Sequence, residues 1–464
     1  VDKKLEAFFA QLSESALACR VDPVPERNLI DWSSLEGVRP AALFCPRSTA
    51  EVSAIMSAAN LAGVAVVPQG GLTGLCGGAR AVASGIALSL EKLVGIEEID
   101  TDSATMTVLA GTPLETIQRA AADADMYFAL DLGARGSCVI GGNVGTNAGG
   151  NRVIRYGMTR DLVLGIEAVL PDGTIINALS KLIKNNTGYD VRQLFIGSEG
   201  TLGIATRVVL RLYPAPISTH AAVFGLSDYE SVLKFLAGAR RQLGPMLSAF
   251  EAMWSDYLEI ALAVPGVRNP LQSRHAFTVL VESQGTDEKI DGERFMGFCE
   301  TMFEAGVIED AAVSQSLADV QSFWGLRDAC SEFKTTLGPH FAFDIGLPTG
   351  KMDEFARLCR TRIADALPGG KSVYYGHIGD GNLHLLGWQP GGTTDEITGH
   401  LLDEAVYETV RDFGGSVSAE HGIGLTKKRY LAHSRSPEEL KLMKTIKRAI
   451  DPNNILNPGK VIDL

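Results

Sequence analysis

Between residues 133 and 150 the chain reads Gly133-Ala-Arg-Gly136-Ser137-Cys-Val-Ile-Gly141-Gly142-Asn143-Val-Gly145-Thr146-Asn-Ala148-Gly149-Gly150, seven glycines in eighteen residues. Each glycine inside a helix or strand weakens it by roughly 0.5–1 kcal/mol relative to alanine, so this density excludes a long regular element. It demands a bend whose backbone lies close to something else. Pro68-Gln-Gly70-Gly71-Leu72-Thr73-Gly74 repeats the device directly after the apolar run Val64-Ala-Val-Val67. Successive backbone N–H groups with no Cβ in the way form a concavity suited to an anion, and the pyrophosphate of a dinucleotide is the natural occupant. Neither segment is a GxGxxG opening a helix with an acidic residue about twenty positions on, and no GxxxxGK(S/T) occurs, so the pattern is neither Rossmann nor P-loop. Glycines serving only bends in a twisted sheet are the plainer reading of either segment alone.

Around these segments, residues 39–216 alternate short strands and helices. Ala41 to Cys45 reads as a strand, Ser48-Thr-Ala-Glu51 as a capping box opening a helix to about Ala62, and Val64 to Val67 as the next strand. Thr112-Pro113-Leu-Glu115 repeats the capping pattern with proline at the first helical position. Leu162 to Leu170 and Thr174 to Ala178 read as strands joined by the turn Pro171-Asp-Gly173. From residue 217 the rhythm lengthens, with helices expected over 228–243, 286–305 and 350–366 and a strand from His275 to Glu282. The expected organisation is an N-terminal helical segment (1–38), a cofactor domain (39–216), an α+β substrate and metal domain with an antiparallel sheet (217–425), and a C-terminal segment (426–464) that returns to the cofactor domain. That tail closes on Asp451-Pro-Asn-Asn-Ile-Leu-Asn457-Pro-Gly-Lys460, a capped and proline-stopped end.

The second domain carries Tyr375-Gly-His377-Ile-Gly-Asp380-Gly-Asn382-Leu-His384 and, downstream, Ser418-Ala-Glu420-His421-Gly. The residues between the first two histidines are rich in turn formers, which predicts a tight hairpin placing His377 and His384 opposite each other on paired strands. Two imidazoles and the Glu420 carboxylate would leave coordination positions open. Open positions let a metal polarise a substrate, whereas structural zinc sites are closed by four protein ligands. Turn glycines with incidental histidines are the alternative.

Composition excludes several classes. A formal charge of −13, from 42 basic against 55 acidic residues, argues against nucleic acid as the main partner. Seven scattered cysteines without a CxxC support neither a disulfide framework nor an iron–sulfur cluster, and fit a reducing compartment. No run approaches the roughly 20 apolar residues of a membrane span. Val1 to Phe9 reads as an amphipathic helix without a signal-peptide core. The expected location is the cytoplasm, with a removed targeting segment left open.

Gln69-Gly-Gly-Leu-Thr-Gly74, Gly136 through Gly150, Asn186-Thr-Gly-Tyr-Asp190, Phe195-Ile-Gly-Ser-Glu199-Gly200-Thr-Leu-Gly203, Gly376 through His384 and Glu420-His-Gly together resemble the flavin-dependent D-2-hydroxyacid dehydrogenases of the vanillyl-alcohol-oxidase type fold. The similarity spans nearly the whole chain, with the motifs in order. It implies non-covalent FAD with its pyrophosphate on the two glycine segments (Pro68, Gly70, Gly71, Leu72, Thr73 and Gly74; Gly136, Ser137, Gly141, Gly142, Asn143, Thr146, Ala148 and Gly149). Glu199, Gly200, Gly203 and Ile204 would line the cofactor, with Asn382 and Asn457 added to that set. A divalent metal, with zinc the first expectation, would sit on His377, His384 and Glu420. Asp190 and Arg192 are read as structural.

The implied reaction moves the α-hydrogen of a D-2-hydroxy acid to flavin N5 as hydride, while a metal on the hydroxyl lowers its pKa and His421 accepts the proton. Arg327, in Phe323-Trp-Gly-Leu-Arg327-Asp, matches the position that clamps the substrate carboxylate, which suits a guanidinium fork, and Ser331 joins the substrate set. Where the D-2-hydroxyglutarate branch holds the distal carboxylate with a lysine and an asparagine, this chain has Ala342 and Leu386. Burying a carboxylate against them is unfavourable, so D-lactate or D-2-hydroxybutyrate is the expected substrate and D-2-hydroxyglutarate the alternative, with Lys334 a cation within reach. A metal hydrolase and a non-catalytic flavoprotein subunit are the readings from other classes. Electrons would pass to an external quinone, cytochrome or electron-transfer flavoprotein, and the oligomeric state is open, a homodimer included.

Overall fold

The computed structural model describes residues 3–464; Val1 and Asp2, the start of the expected N-terminal helix, lie outside the described residues. The chain forms two compact units. One comprises the residues up to Gly150, Tyr156–Ala215 and Glu420–Leu464; the other comprises Asn151–Arg155 and Pro216–Ala419.

In the first unit the strands Ala42–Phe44, Ile86–Ser89 and Val66–Gln69 run parallel in that order, with Arg20–Val21 antiparallel at the outer edge. Ala42–Phe44 and Ile86–Ser89 are buried at every position, as parallel strands covered on both faces must be. The N-terminal segment is part of this core: Phe8 is fully buried and meets Phe44 edge-on, ring centroids 5.6 Å apart. A second, antiparallel sheet follows the order Ile96–Asp100, Thr105–Leu109, Ile204–Arg211, Val163–Val169, Ile175–Ala178.

Helix Thr49–Ala62 starts where its sequence directs. Ser48 Oγ accepts from Glu51 N at 3.2 Å, and Gly63, at φ +65°, terminates it in the left-handed conformation. The reciprocal half of the expected box differs, because the Glu51 carboxylate takes the Arg47 amide, at 2.6 Å. The second capping pattern is not used. Pro113 is the cap of helix Leu114–Ala122, not its first residue, and the buried Thr112 hydroxyl donates to Leu109 O at 2.7 Å. Burial leaves that hydroxyl nearer to the end of the preceding strand than to the helix.

The C-terminal helix Pro437–Ile450 begins with a full capping box between Ser436 and Glu439. Its one buried residue is Lys447. The ammonium donates to Thr201 O and Leu456 O at 2.8 Å each and to Asp451 Oδ2 at 2.5 Å. Burial lowers the Lys447 pKa, and the Asp451 carboxylate opposes that shift.

The two glycine segments meet backbone to backbone. A Cβ on Gly71 would run into Ser137 O and lie 2.8 Å from Cys138 Cα, whereas one on Gly74 would meet nothing within 4 Å.

The second unit is built on a seven-stranded sheet ordered Asp310–Val313, Ser218–Leu226, Phe277–Gly285, Leu247–Trp254, Lys371–His377, Asn382–Trp388, Phe341–Gly346. Every neighbouring pair is antiparallel. Helices Tyr229–Gln242, Glu288–Glu304 and Met352–Ala366 match the three long helices expected, within a few residues. Met253, Tyr257, Leu280, Phe323, Phe333, Val373 and Leu386 form the apolar core on one face of the sheet. Among the described residues no helix is long and apolar enough to cross a membrane.

Lys447→Met strands the buried Asp451 carboxylate without its cation and should destabilise the protein by about 3–5 kcal/mol in urea unfolding; Lys447→Met with Asp451→Asn should recover part of that loss. Gly71→Ala should lower stability by about 1–3 kcal/mol through overpacking, while Gly74→Ala should unfold at the wild-type temperature.

Candidate active site

A cavity of about 360 Å³ lies in the first unit, walled by the two glycine segments. Pro68, Gly70, Gly71, Leu72, Thr73 and Gly74 line one side; Gly141, Gly142, Asn143, Thr146, Ala148 and Gly149 line another. Glu199, Gly200, Gly203, Ile204, Glu420 and His421 also line it. Gly136 and Ser137 do not, although Ser137 O supports Gly71 from behind. Trp32, Leu90 and Cys138 line the cavity and were not anticipated. Trp32 belongs to the expected N-terminal helical segment, and no spacing pattern marks it.

The wall fits a large polar cofactor. Cβ atoms on Gly74, Gly142 or Gly145 would point into open space, with no neighbour nearer than 3.9 Å. Asn143 Oδ1 is buried on this wall and has no hydrogen-bond partner among the described residues. A dinucleotide supplies both the bulk that explains the glycines and the donors that a buried carbonyl needs.

Glu199 organises the far side. It adopts φ +51°, and its half-buried carboxylate accepts from Ile423 N at 2.7 Å and Gly424 N at 2.9 Å. Burial raises its pKa, against the pull of those two amides and Lys427. Asn457 Nδ2 donates to Glu199 O at 2.8 Å and Gly78 O at 3.0 Å, so Asn457 braces the cavity wall from behind. The peptide that follows Glu420-His421 is thus fixed by a side chain more than two hundred residues earlier in sequence.

In the second unit the histidine hairpin is present, but with a different register from that expected. His384 pairs with Tyr375, and His377 pairs with Glu251 on the other neighbouring strand. The two imidazoles are therefore diagonal neighbours on one face, ring centroids 5.1 Å apart. The direct-opposition expectation counted the turn formers as loop, whereas Asn382 already belongs to the returning strand. Asn382 Nδ2 donates to Asp344 Oδ1 at 2.8 Å, so Asn382 lies beside the histidines, in the unit that does not hold the glycine cavity.

Buried carboxylates flank both rings. His377 Nδ1 donates to Glu251 Oε1 at 2.6 Å, and Arg327 Nε donates to Glu251 Oε2 at 2.9 Å. Arg327 Nη2 lies 3.1 Å from His377 Nε2. A guanidinium only donates, so that nitrogen carries the lone pair, the same lone pair a metal takes. Burial raises the Glu251 pKa, but the neighbouring His377 and Arg327 prevail and bring it to about 2. His384 Nδ1 faces Asp344 Oδ1 at 3.9 Å, and Asp344 Oδ2 accepts from Ala419 N at 3.1 Å. Farther along the same face, Glu282 is buried and is held by Arg152 at 2.9 and 3.1 Å, by Ser248 Oγ at 2.8 Å and by Trp324 Nε1 at 2.9 Å.

Of the expected substrate residues, Arg327 is buried and joined to this network, Ser331 is exposed with its hydroxyl on Asp328 O, and Ala342 and Leu386 are register partners on adjacent strands. Leu386 belongs to the apolar core and Ala342 is exposed. Asp190 and Arg192 pair at 2.8 Å, and Arg192 also binds Val163 O and Leu164 O. Glu251, Asp344 and Glu282 escaped the sequence reading. Their signal was a lone acid in a strand that is otherwise almost wholly apolar, as in Leu247-Ser-Ala-Phe-Glu251-Ala-Met-Trp.

Residues 215–461 match the family described as FAD linked oxidases, C-terminal domain, and residues 40–179 match a FAD binding domain. A D-2-hydroxyglutarate dehydrogenase of Xanthomonas citri pv. viticola is 39% identical over 98% of this chain and 96% of its own length. A mitochondrial protein of Schizosaccharomyces pombe with a D-lactate dehydrogenase name is 38% identical over 93% of this chain and 84% of its own. Among solved structures, p-cresol methylhydroxylase with substrate bound superposes with TM-score 0.78 at 17% identity, covering 100% of this chain and 97% of that one. The fold is the vanillyl-alcohol-oxidase type FAD fold, and the chain belongs to the FAD-linked oxidases, among relatives that are FAD-dependent D-2-hydroxyacid dehydrogenases.

Proposed function

We propose that this chain oxidises a D-2-hydroxy acid to the 2-oxo acid, with FAD on the glycine-walled cavity and a divalent metal on His377, His384 and Glu420. The observation that carries the reading is the pair of imidazoles 5.1 Å apart between buried carboxylates that fix their orientation. Glu420 directly follows Ala419, whose amide is bonded to Asp344, the register partner of His384. Chain connectivity therefore supports Glu420 as the third ligand. Two imidazoles and a carboxylate suit zinc and other divalent ions alike.

When bound, the metal would polarise the substrate hydroxyl and FAD would accept the hydride. The chain's own groups do the rest. His421 takes the hydroxyl proton on an imidazole nitrogen, beside the ligand Glu420. Arg327 meets the substrate carboxylate. Of its five N–H donors, Glu251 and Asp328 engage two, and the Nη2 donor now on His377 Nε2 would be released when a metal takes that lone pair, so three would be open to a carboxylate. The electrons leave for an external quinone, cytochrome or electron-transfer flavoprotein.

The names of the similar relatives favour D-2-hydroxyglutarate over the smaller acids as substrate. A second reading, D-lactate or D-2-hydroxybutyrate, rests on the Ala342–Leu386 pair, which offers a distal carboxylate neither cation nor amide. Anaerobic bleaching of the bound flavin by D- and L-2-hydroxy acids decides between them. D-2-hydroxyglutarate should bleach it and L-isomers should not. An advantage of tenfold or more for D-lactate establishes the second reading, the size expected when a distal charge goes unpaired at about 1–3 kcal/mol. A yellow protein that no D-2-hydroxy acid bleaches would be a non-catalytic flavoprotein subunit, and a colourless one would return the metal hydrolase.

His384→Ala should lose metal and flavin reduction while keeping FAD, because the glycine cavity lies in the other unit. Chelator-treated wild type should behave alike, and full anaerobic reduction by substrate in demonstrably metal-free protein would sink the metal reading.

A further inference from the structure

Glu251 touches two groups with different tasks. One carboxylate oxygen binds His377 Nδ1 and the other binds Arg327 Nε, and the side chain is only 1% exposed, so water does not compete for either. A carboxylate only accepts, which puts the imidazole proton on Nδ1; Arg327 Nη2, on the opposite side of the ring, only donates, which leaves the lone pair on Nε2. Two independent contacts therefore demand one tautomer, with Nε2 as the outward basic nitrogen. Glu251 and His377 are register partners on adjacent antiparallel strands, so the carboxylate is delivered to the ring by the sheet and not by a mobile loop. Arg327 lies on the helix Leu317–Asp328, whose Trp324 is tied to Glu282, and its guanidinium lies 5.6 Å from the Tyr375 ring.

We infer that Glu251 is a positioning residue for both ends of the substrate: it fixes His377 in the tautomer that offers Nε2 to a divalent cation, and it holds Arg327 by Nε so that the Nη groups face the substrate carboxylate. The inference rests on the metal reading of His377 and His384 given above. A glutamine at this position has nearly the same shape but only one acceptor oxygen. It can serve His377 Nδ1–H or Arg327 Nε–H, not both. Loss of such an outer partner weakens metal binding by roughly 10–100-fold in comparable sites.

The test uses the full FAD-loaded chain, stripped of metal by chelator and titrated with zinc against a competing chelating dye. Glu251→Gln should bind zinc about 10–100-fold more weakly than wild type. Its KM for the D-2-hydroxy acid should rise and its FAD content should not change. Wild-type zinc affinity in Glu251→Gln overturns the inference while leaving the metal reading intact. Absence of zinc binding in the wild type overturns both. If Glu251→Gln does not accumulate as folded protein, ¹⁵N-histidine NMR of the wild type decides, with His377 assigned by the signal lost in His377→Gln. An Nδ1–H tautomer supports the assignment, and an Nε2–H tautomer overturns it.

Discussion

The polar row that crosses the apolar face of the second unit's sheet depends on carboxylates buried without access to water. Glu251, Glu282 and Asp344 stand on one face of the seven-stranded sheet, and each is surrounded by donors from several elements. A buried cation or anion left alone is destabilising by several kcal/mol, so Arg327 and Arg152 can enter this interior only where a carboxylate already waits. That constraint fixes the helix carrying Trp324 and Arg327, the peptide at Ala419, and the orientation of both imidazoles together. Removing any one anion leaves a cation or an N–H unpaired elsewhere along the row.

The first unit solves a different problem, the holding of a peptide rather than a charge. Glu199 at φ +51° is a conformation that costs a side-chain-bearing residue about 1–2 kcal/mol. It persists because the carboxylate is bound by two consecutive amides and the carbonyl by Asn457. Cys76 and Gly424 tighten the same corner: a Cβ on Gly424 would collide with Cys76 O, and Leu425 N donates to that carbonyl at 2.7 Å. This corner fixes the peptide that follows Glu420 and His421.

What the sequence made legible follows from how locally each feature is encoded. The glycine loops, the Ser48 cap and the histidine hairpin are written in adjacent residues, and they appear nearly where expected. The register of His377 was not legible, because it is set by pairing with Glu251, a residue 126 positions earlier. The Thr112 capping pattern failed for a related reason, since a buried hydroxyl chose between local acceptors that only the tertiary fold supplies. Ala342 and Leu386 are register partners and so share a face of the sheet, yet their burial differs, because Ala342 is on the edge strand and exposed while Leu386, one strand in, belongs to the core. Acids such as Glu251 and Glu282 hide in apolar strands because a sequence shows their cost but not their partners.

Neither unit is a continuous stretch of chain. Asn151–Arg155 leaves the first unit to join the second, and Glu420–Leu464 returns to the first. Val66 forms a bridge with Leu456, and Lys447 reaches Thr201. During synthesis the glycine loops therefore emerge long before the residues that close their wall, while the second unit has its full complement of strands by residue 388. The first unit is closed by residues 420–464, which follow every strand of the second. A chain cut before residue 420 keeps every strand of the histidine sheet and loses Leu456, which bridges to Val66, and Asn457, which braces Glu199 beside the glycine-walled cavity.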